Sequence, residues 1–191
     1  MAVQEREQTV GGFYHVTLRG ARQLPIFFDD RDRRLFLSLL KPAVRKFRWR
    51  CYAWCLMDNH FHLVIELTVP TLSNGMFTLN HAYACWLNRR HGYKGHAFDR
   101  RFSAREIETT PHLLEASRYI LLNPVRAGAR ARPEEYRWSS YLGLIGRAPR
   151  LFAEEEWLLA QFGRRRERAI ENFIAFVEDG LPRLASPVTT S

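Results

Sequence analysis

The sequence predicts an α+β domain, on three observations. Residues 60–67, His-Phe-His-Leu-Val-Ile-Glu-Leu, alternate with the two-residue period of a β-strand. Residues 13–19, Phe-Tyr-His-Val-Thr-Leu-Arg, repeat that period. Two longer stretches, around 30–47 and 73–91, instead space their apolar residues for helices. In chain order the elements read β-α-β-β-α-β, the ferredoxin-like or split βαβ arrangement. Two helices then cover one sheet face and the other face stays open.

In the first strand Tyr14, Val16 and Leu18 face the core, with His15, Thr17 and Arg19 on the opposite side; Gly20 ends it. Asp29, Asp30 and Asp32 supply carboxylates for a helix start. That helix runs to about Phe47, with Leu35, Phe36, Leu39, Leu40 and Val44 on one side and a kink expected at Pro42. A second strand spans Arg50 to Met57, and Asp58-Asn59 turns it into the strand carrying His60 and His62. Ser73 or Asn74 caps the second helix, and Arg89-Arg90-His91-Gly92 closes it. A short arginine-rich strand is expected between Gly95 and Arg105. Pro111 then starts a third helix ending near Asn123, with Leu113, Leu114, Ser117, Ile120 and Leu121 on its apolar arc. A helix from Glu154 to about Phe162 and a charged one from Arg164 to Glu178 complete the chain, with a frayed tail beyond Leu181. The expected division is a main α+β domain at 1–145 and a C-terminal helical extension at 146–191.

At 191 residues, 46% hydrophobic and 13% aromatic, the chain can bury a substantial core. No apolar run approaches the ~18 residues of a membrane span, and a cytoplasmic, nucleoid-associated protein without membrane contact is expected. The net charge of +9 points to a polyanion, and only Lys41, Lys46 and Lys94 among its cations are lysines. Arginine's planar fork matches phosphate oxygens and stacks on bases, which favours nucleic acid. Cys51, Cys55 and Cys85 make no disulfide framework. Cys-x3-Cys along a strand sets its thiols about 13 Å apart, too far for one tetrahedral zinc, so Cys51 and Cys55 read as core residues.

Imidazoles two apart on one strand face can hold one metal ion. Tyr119 and Asn123, four apart on the third helix, lie one above the other away from its apolar arc. His60, His62 and the amide oxygen of Asn123 then form a mixed N/O donor set with open positions, suited to Mg²⁺ or Mn²⁺. Tyr119 is the candidate nucleophile. A phenol ionises near pH ~10, so it needs a nearby cation such as the metal, Arg118 or Arg126. Glu66 is a candidate partner behind the donors, and His15 reads as a solvated residue of the open face.

His60-Phe61-His62 is similar to the His-hydrophobe-His motif of single-strand DNA nucleases, the HUH superfamily. Around it recur, in order, Gly12-Phe13-Tyr14-His15-Val16-Thr17, Arg19-Gly20, Ile26-Phe27-Phe28-Asp29-Asp30 and Leu56-Met57-x-Asn59-His60-x-His62-Leu63. Gly95-His96, Arg101-Phe102, Arg118-Tyr119-Ile120-x-x-Asn123-Pro124-Val125-Arg126-Ala127-Gly128 and Trp138-Ser139-Ser140-Tyr141 follow. Over roughly residues 11–145 the chain resembles the REP-associated tyrosine transposases, relatives of the single-tyrosine insertion-sequence transposases.

The resemblance implies metal-dependent nicking of single-stranded or hairpin DNA at short palindromic repeats. It also implies a covalent 5′-phosphotyrosine and a free 3′-hydroxyl able to rejoin strands, by a monomer or homodimer. Tyr119 matches the nucleophile, and His60, His62 and Asn123 match the metal ligands, with Mg²⁺ or Mn²⁺ as cofactor. Arg19, Arg100, Arg101, Arg105, Arg118 and Arg126 are the candidate DNA contacts. The chain departs from the pattern at Asp58, where proline is usual, and at Ala21, where asparagine usually follows Arg-Gly. The first is a turn substitution; the second bears on site preference. Two other readings use the same residues: a non-catalytic single-strand binder, and a metal phosphodiesterase with water as nucleophile. A pure binder has no need of His60, His62, Tyr119 and Asn123 together.

Overall fold

A computed structural model describes residues 8–99 and 101–181. Four strands, β1 (Phe13–Arg19), β2 (Trp49–Leu56), β3 (His60–Leu67) and β4 (Ser103–Ile107), form one antiparallel sheet in the order β2-β3-β1-β4. This is the ferredoxin-like order expected from the sequence. Tyr14, Val16, Leu18, Phe61, Leu63, Ile65 and Leu67 are all buried, as their alternation requires. Each contributes about 1.5–3 kcal/mol by leaving water. Over them pack α1 (Asp30–Lys46) and α2 (Leu72–His91), with Phe36 of α1 touching both Phe61 and Tyr83.

Local chemistry sets the element ends. Asp29 caps α1, its carboxylate accepting from the Arg31 and Asp32 amides, and the helix continues through Pro42. The cap of α2 lies before Ser73 and comes from a distance: the Gln8 side-chain oxygen accepts the Leu72 amide at 2.6 Å. Gly75 lets α2 approach β2, because a Cβ there would lie 2.1 Å from the Trp49 ring. The fourth strand begins later than expected. Gly95 has φ 102°, and Phe98 makes only an isolated bridge to Gly20, so regular pairing starts at Ser103.

The second sheet face is not open. A third helix, α3 (Thr110–Leu121), crosses it in contact with β2, β3 and β4. Its Leu113, Ala116, Ser117, Ile120 and Leu121 are buried, and the first face is already filled by α1 and α2. Val64 and Ile107, 0% and 3% exposed, supply the apolar ground on this side. After α3 come a helical turn, α4 (Asn123–Arg126), and an extended aromatic segment beside β2. Leu56 N–H donates to the Trp138 carbonyl and Ser140 N–H to that of Trp54, which closes the free edge of β2. The short helices α5 (Tyr141–Leu144) and α6 (Glu154–Ala160) follow, then α7 (Arg166–Asp179); α6 packs on β2 and α7 on α3. Cys51 and Cys55 are fully buried, and burial raises both thiols. No helix among the described residues is long and apolar enough to cross a membrane. The tail expected to fray lies beyond Leu181, outside the described residues.

Candidate active site

The antiparallel register of β1 and β3 sets Arg19 opposite His60 and Thr17 opposite His62, with His15 diagonal to His62. Under α3 the histidines are more enclosed than an open face would leave them: His60 is 9% and His62 6% exposed. Their rings lie 4.8 Å apart, centroid to centroid. Burial, reinforced by the Arg19 cation, holds His60 down at about 4. Burial, then the charges of His60, His15 and Arg19, lowers His62 to about 2. Both are therefore neutral imidazoles at physiological pH, the form that donates a lone pair.

The hairpin turn orients His60. Asn59 Nδ2 donates to the Gln23 carbonyl at 3.1 Å, so its Oδ1 is the acceptor for His60 Nδ1–H at 2.6 Å. The turn itself is held by the Asp58 carbonyl, which accepts the amides of Ile26 and Phe27, and by an Arg33–Asp58 ion pair. On the helix side the Asn123 side chain lies beside the His60 ring. The first residue of α4 thus reaches the strand histidine.

His62 is held differently. Its Nδ1 lies 2.9 Å from His15 Nε2, and its own Nε2 is buried without a hydrogen-bond partner. A buried, unpartnered ring nitrogen beside a second imidazole and an amide is a donor set that fits a divalent cation. Among the described residues no group of three or more His, Cys, Asp or Glu side chains is placed to hold one, so a cation here would take its third protein donor from Asn123. Asn123 can supply that amide oxygen.

Tyr119 stands above the histidines, 43% exposed. Its ring centroid is 6.2 Å from that of His62 and 6.0 Å from that of His15. Arg126 covers its other side, the guanidinium carbon 5.0 Å from the ring centroid. The remaining arginines are less alike than their count suggests. Arg19 and Arg105 are exposed on the same sheet face, opposite His60 and His15 in register. Arg101 is exposed and lines a 1140 Å³ groove between α2 and residues 95–99, 101 and 102 that shares no residue with the histidine pair. Arg118 turns away into α7, donating to the Phe176 carbonyl at 3.1 Å and pairing with Glu115 and Asp179. Arg100 lies outside the described residues. Glu66 accepts from the Tyr52 hydroxyl at 2.6 Å and pairs with Arg50.

In the sequence Asn59 has no role of its own and His15 reads as a solvated residue of an open face, whereas His15 is half-buried beneath α3 with its Nε2 against His62. Asn59 adjoins the histidine pair in the motif, and His15 shares its sheet face; the strand register that joins His15 to His62 was the missing information.

The family model described as IS200-like transposase matches residues 9–123. Among solved structures, a REP-associated tyrosine transposase bound to a REP hairpin superposes with a TM-score of 0.63 at 18% identity, covering 77% of this chain and 87% of that one. That likeness shows a shared fold. A tRNA(His) guanylyltransferase from Saccharomyces cerevisiae is more distant, with a TM-score of 0.43 and 9% identity over 94% of this chain and 86% of its own. No curated protein matches the chain. With the family match spanning well over half its length, the chain belongs to the IS200-like transposase family.

Proposed function

We propose that this protein nicks and rejoins single-stranded or hairpin DNA, with Tyr119 as nucleophile beside a cation held by His60, His62 and Asn123. The observation that carries the reading is the placement of an exposed tyrosine over a buried histidine pair whose His62 Nε2 has no partner. The solved relative holds a REP hairpin, and repeats of that kind are the proposed substrate here. Residues 1–145 would carry the chemistry, with the segment from 146 as a helical extension buttressing α3.

The Tyr119 oxygen attacks phosphorus in line with the bond to the 3′ oxygen. That bond breaks, the phenol gives up its proton to solvent while the departing 3′ oxygen takes one up, and the 5′-phosphate remains on the tyrosine. Attack of a 3′-hydroxyl on the phosphotyrosine reverses the step and joins strands. A bound Mg²⁺ or Mn²⁺ would polarise the scissile phosphate and neutralise charge gathering on its oxygens. Arg126 lies against the Tyr119 ring, and Arg19 and Arg105 border the same face as phosphate contacts. His60 and His62 stay unprotonated at neutral pH because burial disfavours their charged forms.

The test is to incubate the protein with end-labelled hairpin oligonucleotides and Mn²⁺, then denature. Wild type is expected to give a denaturant-resistant protein–DNA adduct and Tyr119→Phe none. An equal adduct from Tyr119→Phe removes the nucleophile assignment. Cleavage without adduct favours water as nucleophile, and retention without cleavage favours a non-catalytic binder.

A further inference from the structure

We infer that His15 is a positioning residue for His62: its Nε2 accepts the His62 Nδ1–H and so turns the His62 Nε2 lone pair toward the bound cation. The inference rests on the reading of His62 as a ligand and adds the residue that makes it one.

The two rings lie 5.1 Å apart at 31°, with the facing nitrogens at 2.9 Å. At 6% exposure His62 cannot rely on water to set its tautomer, so the contact with His15 decides it. Two proton placements are open. If His15 donated to His62 Nδ1, the neutral His62 ring would carry its proton on Nε2. That N–H would be a buried donor with nothing to accept it, because Nε2 has no partner. It would also block the only nitrogen left for a cation. With the proton on His62 Nδ1, the unpartnered atom is a lone pair, which a cation satisfies.

The hairpin supplies a parallel. Asn59 Oδ1 accepts Nδ1–H of His60 and leaves its Nε2 as the donor atom. His15 would do for the second histidine what Asn59 does for the first, with the acceptor brought from β1 by strand register rather than from the adjoining residue.

The assignment constrains Tyr119 as well. A neutral His15 whose Nε2 lone pair is committed to His62 carries its own proton on Nδ1. It therefore has no free lone pair to take the phenol proton, although its ring lies 6.0 Å from that of Tyr119. His15 positions a ligand; it is not the base.

The test has two readouts on the full chain. Long-range proton–nitrogen NMR of ¹⁵N-histidine protein without metal reads the His62 tautomer directly. A proton on Nδ1 is expected, and a proton on Nε2 overturns the inference. Mn²⁺ titration of His15→Leu and His15→Gln gives the second readout, since the glutamine amide oxygen can accept where the imidazole did. His15→Leu should bind Mn²⁺ roughly 10–100-fold more weakly. His15→Gln should return to within about threefold of wild type if its melting temperature matches that of His15→Leu. Wild-type affinity in His15→Leu overturns the positioning role. Should His15→Leu fail to fold, the wild-type tautomer and the glutamine variant still decide. Unchanged Mn²⁺ affinity in His62→Ala would instead sink the ligand reading, a separate result that leaves the tautomer measurement standing.

Discussion

The Tyr119 ring meets His62 edge-on, centroids 6.2 Å apart at 89°, while Arg126 covers its other face at 5.0 Å. The tyrosine is thus clamped by its ring and not by its hydroxyl, which has no hydrogen-bond partner among the described residues. Removing the hydroxyl should therefore separate chemistry from folding. Tyr119→Phe keeps the ring contacts and should hold stability within about 0.5 kcal/mol, read by urea unfolding. Adduct formation should fall on the order of 10³-fold or more in the same preparation, since the nucleophilic atom itself is gone. A stability loss matching the activity loss would recast Tyr119 as structural.

The arginines divide by what they touch. Arg19 is exposed and opposite His60, so Arg19→Ala should weaken single-strand binding alike across sequences. It should also reduce the slope of log K against log salt by about 0.7, one counterion released fewer. Arg118 sits with its guanidinium 4.5 Å from the Phe176 ring centroid and bonded to the end of α7. Arg118→Ala should leave that slope unchanged and cost about 1–2 kcal/mol of stability, with loss of both the cation–π contact and the carbonyl bond. Fluorescence anisotropy at several salt concentrations distinguishes the two outcomes. Equal slope changes would return Arg118 to the DNA surface.

Much of this architecture is legible in the chain because period and composition act locally. The alternation of 13–19 and 60–67 placed Phe61 in the core and His60 and His62 on the other face, as found. The spacing of Tyr119 and Asn123 aimed both toward one region. The burial of that face was not legible, because nothing in α3's own sequence says which sheet face it covers. Distant partners were hidden for the same reason: Gln8 caps α2 and Trp138 pairs with Leu56, contacts spanning 64 and 82 positions. Arg118 shows the limit most clearly, since a helix arginine one residue before a tyrosine reads identically whether it meets phosphate or the end of α7.

Close packing of α2 on β2 depends on a missing side chain. Gly75 lies against Trp49, where a Cβ would come within 2.1 Å of one ring carbon and 2.6 Å of another. Trp49 is 4% exposed and stacked on Phe47, so the ring has little room to retreat. Gly75→Ala raises helix propensity yet should destabilise the protein by about 1–3 kcal/mol through overpacking. Urea unfolding measures the sign: a gain in stability would mean that α2 shifts outward at little cost.

The last relationship concerns pH. Glu155 in α6 is fully buried, with Oε1 accepting Trp54 Nε1–H at 3.2 Å and Oε2 unpartnered. Burial, only partly offset by that bond, pushes its carboxyl up from 4.5 to about 7. Between those values the folded protein holds a proton that the unfolded chain has lost. Stability must therefore fall as pH rises from about 4.5 through 7, the reverse of a salt-bridged carboxylate. A displacement of that size corresponds to about 3 kcal/mol as an upper bound. Glu155→Gln keeps an oxygen for Trp54 and cannot ionise, so its stability should lack this decline. The gap between variant and wild type, followed by urea unfolding from pH 5 to pH 8.5, should shift in the variant's favour by about 1–3 kcal/mol. Curves that stay parallel across that range would mean that Glu155 ionises in place, with water reaching Oε2 beneath α6.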